Sequence, residues 1–185
     1  KETIGLTDGL KLTGAERRKH LLAWLKESEK PLTGSELAKK ASVSRQVIVQ
    51  DISLLKAKNE PIIATSQGYM YLRTQASDKQ PVKRIIACDH DPGKTEEELN
   101  MIVDFGVTVK DVTIEHPVYG DLTASIRVST RKEVADFVKK ISSTNAAYLS
   151  QLTNGIHLHT LEADDEEKIE QACDALKKAG ILIQE

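Results

Sequence analysis

Only two cysteines, Cys88 and Cys173, occur in 185 residues. They lie far apart in the chain, which speaks against a disulfide framework and makes a reducing cytoplasm the expected compartment. No stretch approaches the ~18 consecutive apolar residues of a membrane span, so no membrane partner is expected. The leading Lys1-Glu2-Thr3-Ile4-Gly5 carries no signal-peptide apolar core. There is no internal repeat and no low-complexity tract. Net charge is almost absent as well: 26 Lys and Arg against 28 Asp and Glu leave −2. A balance so close to zero argues against a nucleic-acid ligand, and that argument fails once the chain is divided.

Residues 1–80 hold 14 Lys and Arg against 9 Asp and Glu, a charge of +5; residues 81–185 hold 12 against 19, a charge of −7. Such asymmetry implies two domains with different partners. The basic half is drawn to phosphate by Coulomb attraction and counterion release, and the acidic half is repelled by it. The polar run Thr74-Gln75-Ala76-Ser77-Asp78-Lys79-Gln80-Pro81 lacks periodicity and ends in proline, as linkers do. The expected domains are therefore 13–75 and 81–185, with residues 1–12 a frayed lead-in.

In the first half, Thr13-Gly14-Ala15-Glu16 and Thr33-Gly34-Ser35-Glu36 read as capping boxes. They predict helices over 17–27, with Leu21, Leu22 and Leu25 inward, and over 35–41. Ala41-Ser42-Val43 makes a tight turn, Ser44 caps a third helix over 45–58, and strands are expected near 62–65 and 69–73. Gly68 suits the left-handed backbone of their turn. Helix, helix, turn, helix, hairpin is the order of a winged helix-turn-helix, whose third helix enters the major groove. Arg45 and Gln46 at its start have the donors that read guanine and adenine, with Gln50 one turn further on the same face. Ser44, Lys56 and Arg73 are candidate phosphate contacts. The partner is then double-stranded operator DNA. The competing reading is a three-helix module whose solvated side chains serve protein contacts. Trp24 lies in the first helix and is assigned to packing.

The second half reads βαββαβαβ. Strands are expected over 82–88, 107–115, 122–129, 155–161 and 181–183. Helices are expected from a Thr95-Glu96-Glu97-Glu98 box to Phe105, from a Thr130 box to Ser142, and over 164–179. The fold class is α+β: a winged helix-turn-helix followed by an α+β domain with a mixed sheet and helices mainly on one face.

Four of the five histidines lie here: His90, His116, His157 and His159. His157 and His159 stand two apart on a strand, so both imidazoles share a face, with Leu158 turned the other way into apolar packing. With His90 beyond a strand end and Glu98 in the next helix, they form a plausible divalent-metal set. Solvated His-x-His pairs are common, Glu98 is also the N3 residue of the Thr95 box, and Asp89 and Asp91 are alternative carboxylates. Cys88 and Cys173 fit core packing. In the loop His116-Pro117-Val118-Tyr119-Gly120, His116 either supports an organic-acid site or caps the strand. Tyr119 and Arg127 are further candidates to grip a carboxylate.

With those segments in view, the chain resembles the niacin-responsive transcriptional repressors (the NiaR family), in which a helix-turn-helix precedes a three-histidine (3H) domain. The resemblance covers roughly residues 13–185. Its most specific parts are Cys88-Asp89-His90-Asp91, Glu115-His116-Pro117-Val118-Tyr119-Gly120 and Gly155-Ile156-His157-Leu158-His159. The resemblance implies a homodimeric repressor of genes for nicotinamide-cofactor synthesis or niacin uptake, with nicotinic acid as co-repressor. It also implies a divalent metal held by His90, Glu98, His157 and His159, with His116 near the effector. Nickel, zinc, iron and manganese all suit such donors. The rival functions are a regulator that senses the metal itself and a metal-dependent hydrolase built on an activated water.

Overall fold

A computed structural model describes residues 12–72 and 81–183. Among them, residues 12–64 and 68–72 form one compact unit and 81–183 belong to a second. No helix among the described residues is long and apolar enough to cross a membrane. The expected boundary at 75, the linker and Arg73 lie outside the described residues.

The first unit opens with α1 (Gly14–Glu27), α2 (Gly34–Ala41) and α3 (Arg45–Ala57), then β1 (Ile62–Thr65) and β2 (Gly68–Tyr71). Both expected capping boxes are present. Thr13 and Thr33 accept from the backbone N–H of Glu16 and Glu36, whose carboxylates accept in return from the threonine N–H groups. Ser44 caps α3 by accepting from Val47 N–H at 3.4 Å. Leu21, Leu25, Leu37, Ile48, Ile52 and Leu55 make the core, with Trp24 packed at its margin. One polar tie joins two helices through this region: Asp51 of α3, only 2 % exposed, receives Arg17 at 2.5 Å and Arg18 at 3.0 Å from α1. Gly68 has a positive φ, but what demands glycine is a close approach. A Cβ there would meet the Leu32 carbonyl at 2.6 Å, where Leu32 pairs with Tyr69 beside the hairpin.

The second unit contains β3 (Val82–Asp89), α4 (Thr95–Asp104), β4 (Thr108–His116), β5 (Gly120–Ala124), α5 (Arg131–Thr144), β6 (Ile156–Ala163) and α6 (Glu166–Lys178). The sheet order is β3-β6-β4-β5, and every pairing is antiparallel. This corrects the expected mixed sheet. β3 and β4 do run parallel, as a β-α-β crossover requires, but β6 lies between them and pairs with both. The helices line one face of the sheet, over a core that includes Leu99, Ile102, Val109, Leu161, Ile169 and Leu176.

Three local expectations are also corrected. β5 ends at Ala124, and the chain then turns through Arg127 at φ +50°, so that only Val128 bridges back to Val109. The segment near 181–183 contributes a single bridge, Leu182 to Cys88. Leu158 is 39 % exposed, not packed. Strand alternation gives the helix-covered face to His157, His159, Leu161 and Ala163, which leaves Ile156 and Leu158 on the open face.

Candidate metal centre

The side chains His90, Glu98, His157 and His159 are all buried in the second unit. Strand β3 ends at Asp89 and delivers His90. A short 3-10 turn, Pro92–Lys94, swings the chain into α4. Lys94 precedes the first helical residue and makes no side-chain cap, and Thr95 is already helical. The expected Thr95 capping box is therefore absent. Glu98 does not fold back on the backbone, because it sits on the inward face of α4 with Leu99, Ile102 and Val103. Its carboxylate lies 2.8 Å from His90 Nε2, 3.3 Å from His157 Nε2 and 3.4 Å from His159 Nε2. The last is an ion-pair distance without hydrogen-bond geometry, so His159 Nε2 is a buried nitrogen with no hydrogen-bond partner.

Each ring is oriented from behind. His90 Nδ1 donates to the Asp91 carbonyl at 2.8 Å, His157 Nδ1 to Gly155 at 2.6 Å and His159 Nδ1 to Asp111 at 2.7 Å. A carbonyl can only accept, so Nδ1 carries the proton in all three, and in the neutral ring Nε2 carries the lone pair. The backbone is shaped to supply those acceptors. A bulge between Val109 and Asp111 brings Asp111 opposite Thr160, beside His159. Gly155, at φ +111°, passes so close to β3 that a Cβ would stand 2.7 Å from Asp89 Oδ1 and 2.8 Å from the His90 carbonyl.

Three Nε2 lone pairs and a carboxylate aimed at one buried region repel one another unless positive charge sits among them. Without metal that charge is protons. Burial opposes charging His90 and His159, but Glu98 outweighs it and holds both rings above their ordinary histidine value. Burial likewise raises Glu98, and the charge of His159 with the hydrogen bonds of His157 and His90 overrides it, so the carboxyl titrates well below its usual range. A divalent cation meets the same demand through donors of the right type. Asp89 and Asp91 are exposed and stand apart. Cys88, buried in the core as expected, also brings its Sγ within 4.8 Å of a Glu98 oxygen and a His157 nitrogen. Burial and the nearby Glu98 push its thiol up, which disfavours the thiolate a metal needs.

Beside these four residues opens a small cleft with Glu98, His157 and His159 in its wall. Its apolar lining comes from Leu99, Val112, Ile126, Phe137 and Leu149. Thr95, Tyr148 and Ser150 add polar groups, and the Thr95 hydroxyl is buried with no partner. Sequence reasoning missed these wall residues. Phe137 reads as an ordinary helix position, and Tyr148-Leu149-Ser150 lies in a stretch with no periodicity. Of the residues expected near an effector, none lines this cleft. His116 ends β4 and its Nδ1 accepts from the N–H groups of Val118 and Tyr119, while Tyr119 is 74 % exposed. Arg127 has a buried Nε without a partner.

In the first unit, Ser44, Arg45, Gln46 and Gln50 are all exposed along the N-terminal half of α3, and Lys56 is exposed near its end.

Comparison with known proteins agrees with this division. The family described as "3H domain" matches residues 83–185, and that described as "HTH domain" matches residues 17–70. "Transcription repressor NadR" of Bacillus subtilis (strain 168) is 72% identical over 180 residues, covering 97% of this chain and 100% of that protein. "Probable transcription repressor NiaR" of Thermotoga maritima is 42% identical over 176 residues, covering 95% of this chain and 98% of that protein.

Proposed function

Because the chain belongs to the family of proteins that join a helix-turn-helix domain to a 3H domain, we propose that it is a DNA-binding transcription repressor whose second unit holds a divalent metal and senses nicotinic acid. The observation that carries the sensing half is the tautomer lock: three buried histidines present Nε2 to Glu98 because each Nδ1 is spent on a carbonyl. His90, Glu98, His157 and His159 would hold the ion. When bound, it would supply a fixed positive centre beside the cleft, the charge that attracts an organic carboxylate. The apolar walls from Val112, Ile126 and Phe137 suit a flat ring.

The reading half rests on α3. Arg45, Gln46 and Gln50 meet base edges, while Ser44 and Lys56 contact phosphate. A homodimer places two such helices on two half-sites related by its two-fold axis. Nicotinic acid strengthens repression only by binding the DNA-competent state more tightly than the other, and a ~10-fold gain in DNA affinity takes ~1.4 kcal/mol of coupling.

Gel-shift titration of operator DNA with nicotinate, with and without chelator, tests this. Affinity should rise with nicotinate, and the rise should vanish with chelator. DNA affinity indifferent to nicotinate would remove the effector from the reading. DNA affinity that follows metal concentration with no organic acid present would select the metal-sensing regulator instead.

A further inference from the structure

Resting on the reading of this cleft as an effector site, we propose that Thr95 determines which aromatic acids are accepted, by donating its hydroxyl proton to a ring nitrogen of the ligand. The starting point is an unmet demand. Thr95 Oγ1 is buried, lines the cleft and makes no hydrogen bond. A buried hydroxyl without a partner costs free energy that a ligand acceptor recovers, and a ligand lacking that acceptor leaves the cost in place.

The placement of Thr95 says which ligand atom it meets. Thr95 and Glu98 are three apart on α4, so they share a face, with Cβ atoms about 5–6 Å apart. Both line the cleft. The Glu98 end is surrounded by histidine nitrogens and attracts the ligand's carboxylate once positive charge is present there. The Thr95 hydroxyl is neutral, and the apolar side chains Leu99 and Phe137 line the cleft with it. A neutral hydroxyl in such surroundings matches a neutral acceptor, not a second anion. One aromatic ring spans a distance of that order. The ligand class is therefore a small planar acid whose ring carries a nitrogen away from the carboxylate.

The test is equilibrium binding of nicotinate and benzoate to the full chain loaded with zinc, by calorimetry. Benzoate has the same shape and carboxylate and lacks the nitrogen. Wild type should bind nicotinate about tenfold or more tightly than benzoate. Thr95→Val should reduce that ratio to near one, chiefly by weakening nicotinate, and Thr95→Ser should keep most of it. A ratio unchanged in Thr95→Val would overturn the role of Thr95 while leaving the effector site intact. Wild type binding neither acid would overturn both readings. A ligand-side series on wild type needs no variant to fold: moving the nitrogen next to the carboxylate should lower affinity toward that of benzoate. Equal affinity for all positions of the nitrogen would likewise count against Thr95.

Discussion

The Glu98 carboxylate lies 2.8 Å from His90 Nε2, and neither side chain is more than 1 % exposed. Eight residues separate them in the chain, and the 3-10 turn at Pro92–Lys94 is what returns α4 over the end of β3. Removing that carboxylate tests whether the cluster is a cation site. Glu98→Gln keeps the shape and removes the charge. Zinc affinity, measured by competition with a chelating dye, should fall by more than about 100-fold, beyond the loss usual for an outer-shell partner. Unaltered affinity would mean that Glu98 serves packing alone.

Asp51 should matter for stability more than its sequence position suggests. Asp51→Ala leaves two guanidinium groups, 15 and 24 % exposed, facing a buried gap. Breaking a buried pair costs about 3–5 kcal/mol, and the partial exposure of both arginines places this case near 3 kcal/mol. Trp24, the only tryptophan, lies in α1 and reports on this unit by fluorescence during urea unfolding. A loss under about 0.5 kcal/mol would show the tie to be as weak as an exposed ion pair.

The capping boxes predict an acid-side weakness in the same unit. Hydrogen bonds from the Thr33 side chain and backbone hold Glu36 below its ordinary value of 4.5, and Thr13 does the same for Glu16. A carboxyl with a lowered folded value contributes stability that is complete above pH 4.5 and is lost as pH falls through the folded value. The melting temperature read by Trp24 should therefore fall on acidification below 4.5. In Glu36→Gln that decline should be shallower, from a lower plateau. A variant that tracks wild type at every pH would count against this account. Thr33→Ala should separately cost about 1 kcal/mol.

On DNA, the exposed residues of α3 should divide into two behaviours. Arg45→Ala and Gln46→Ala should each cost about 1–3 kcal/mol against a duplex selected from a random pool, and should relax preference at one base position. Lys56→Ala should weaken selected and scrambled duplexes alike and reduce the salt slope by about 1. Fluorescence anisotropy at several salt concentrations separates the two patterns. Equal losses on selected and scrambled DNA for Arg45→Ala would move that residue to the phosphate class.

Local chemistry made much of the fold legible. Thr13 with Glu16 and Thr33 with Glu36 are signals contained within four residues, and the helices begin where those signals stand. The Thr95-to-Glu98 spacing carries the same signal and means something else, because a hydrogen-bond pattern within one turn competes with the burial of that helix face. Glu98 lies on the face that α4 must bury, and three histidines are there to receive it. Likewise His157 and His159 were certain to share a face, but alternation alone does not say which face the helices cover. The opposite choice from that expected put Leu158 in solvent.

The chain by itself therefore determined its partition into a basic and an acidic part, the helix starts at Thr13, Thr33 and Ser44, and the winged helix-turn-helix order. These rest on interactions between near neighbours or on charge, which adds along a segment whatever its shape. Only the tertiary structure decided that β6 runs between β3 and β4, and that a bulge and Gly155 bring carbonyls behind the histidine rings. It also decided that Thr95 ends with an unsatisfied hydroxyl in a cleft. Each of these depends on which segments, remote in sequence, pack together, and strand order and burial arise from competition over the whole unit.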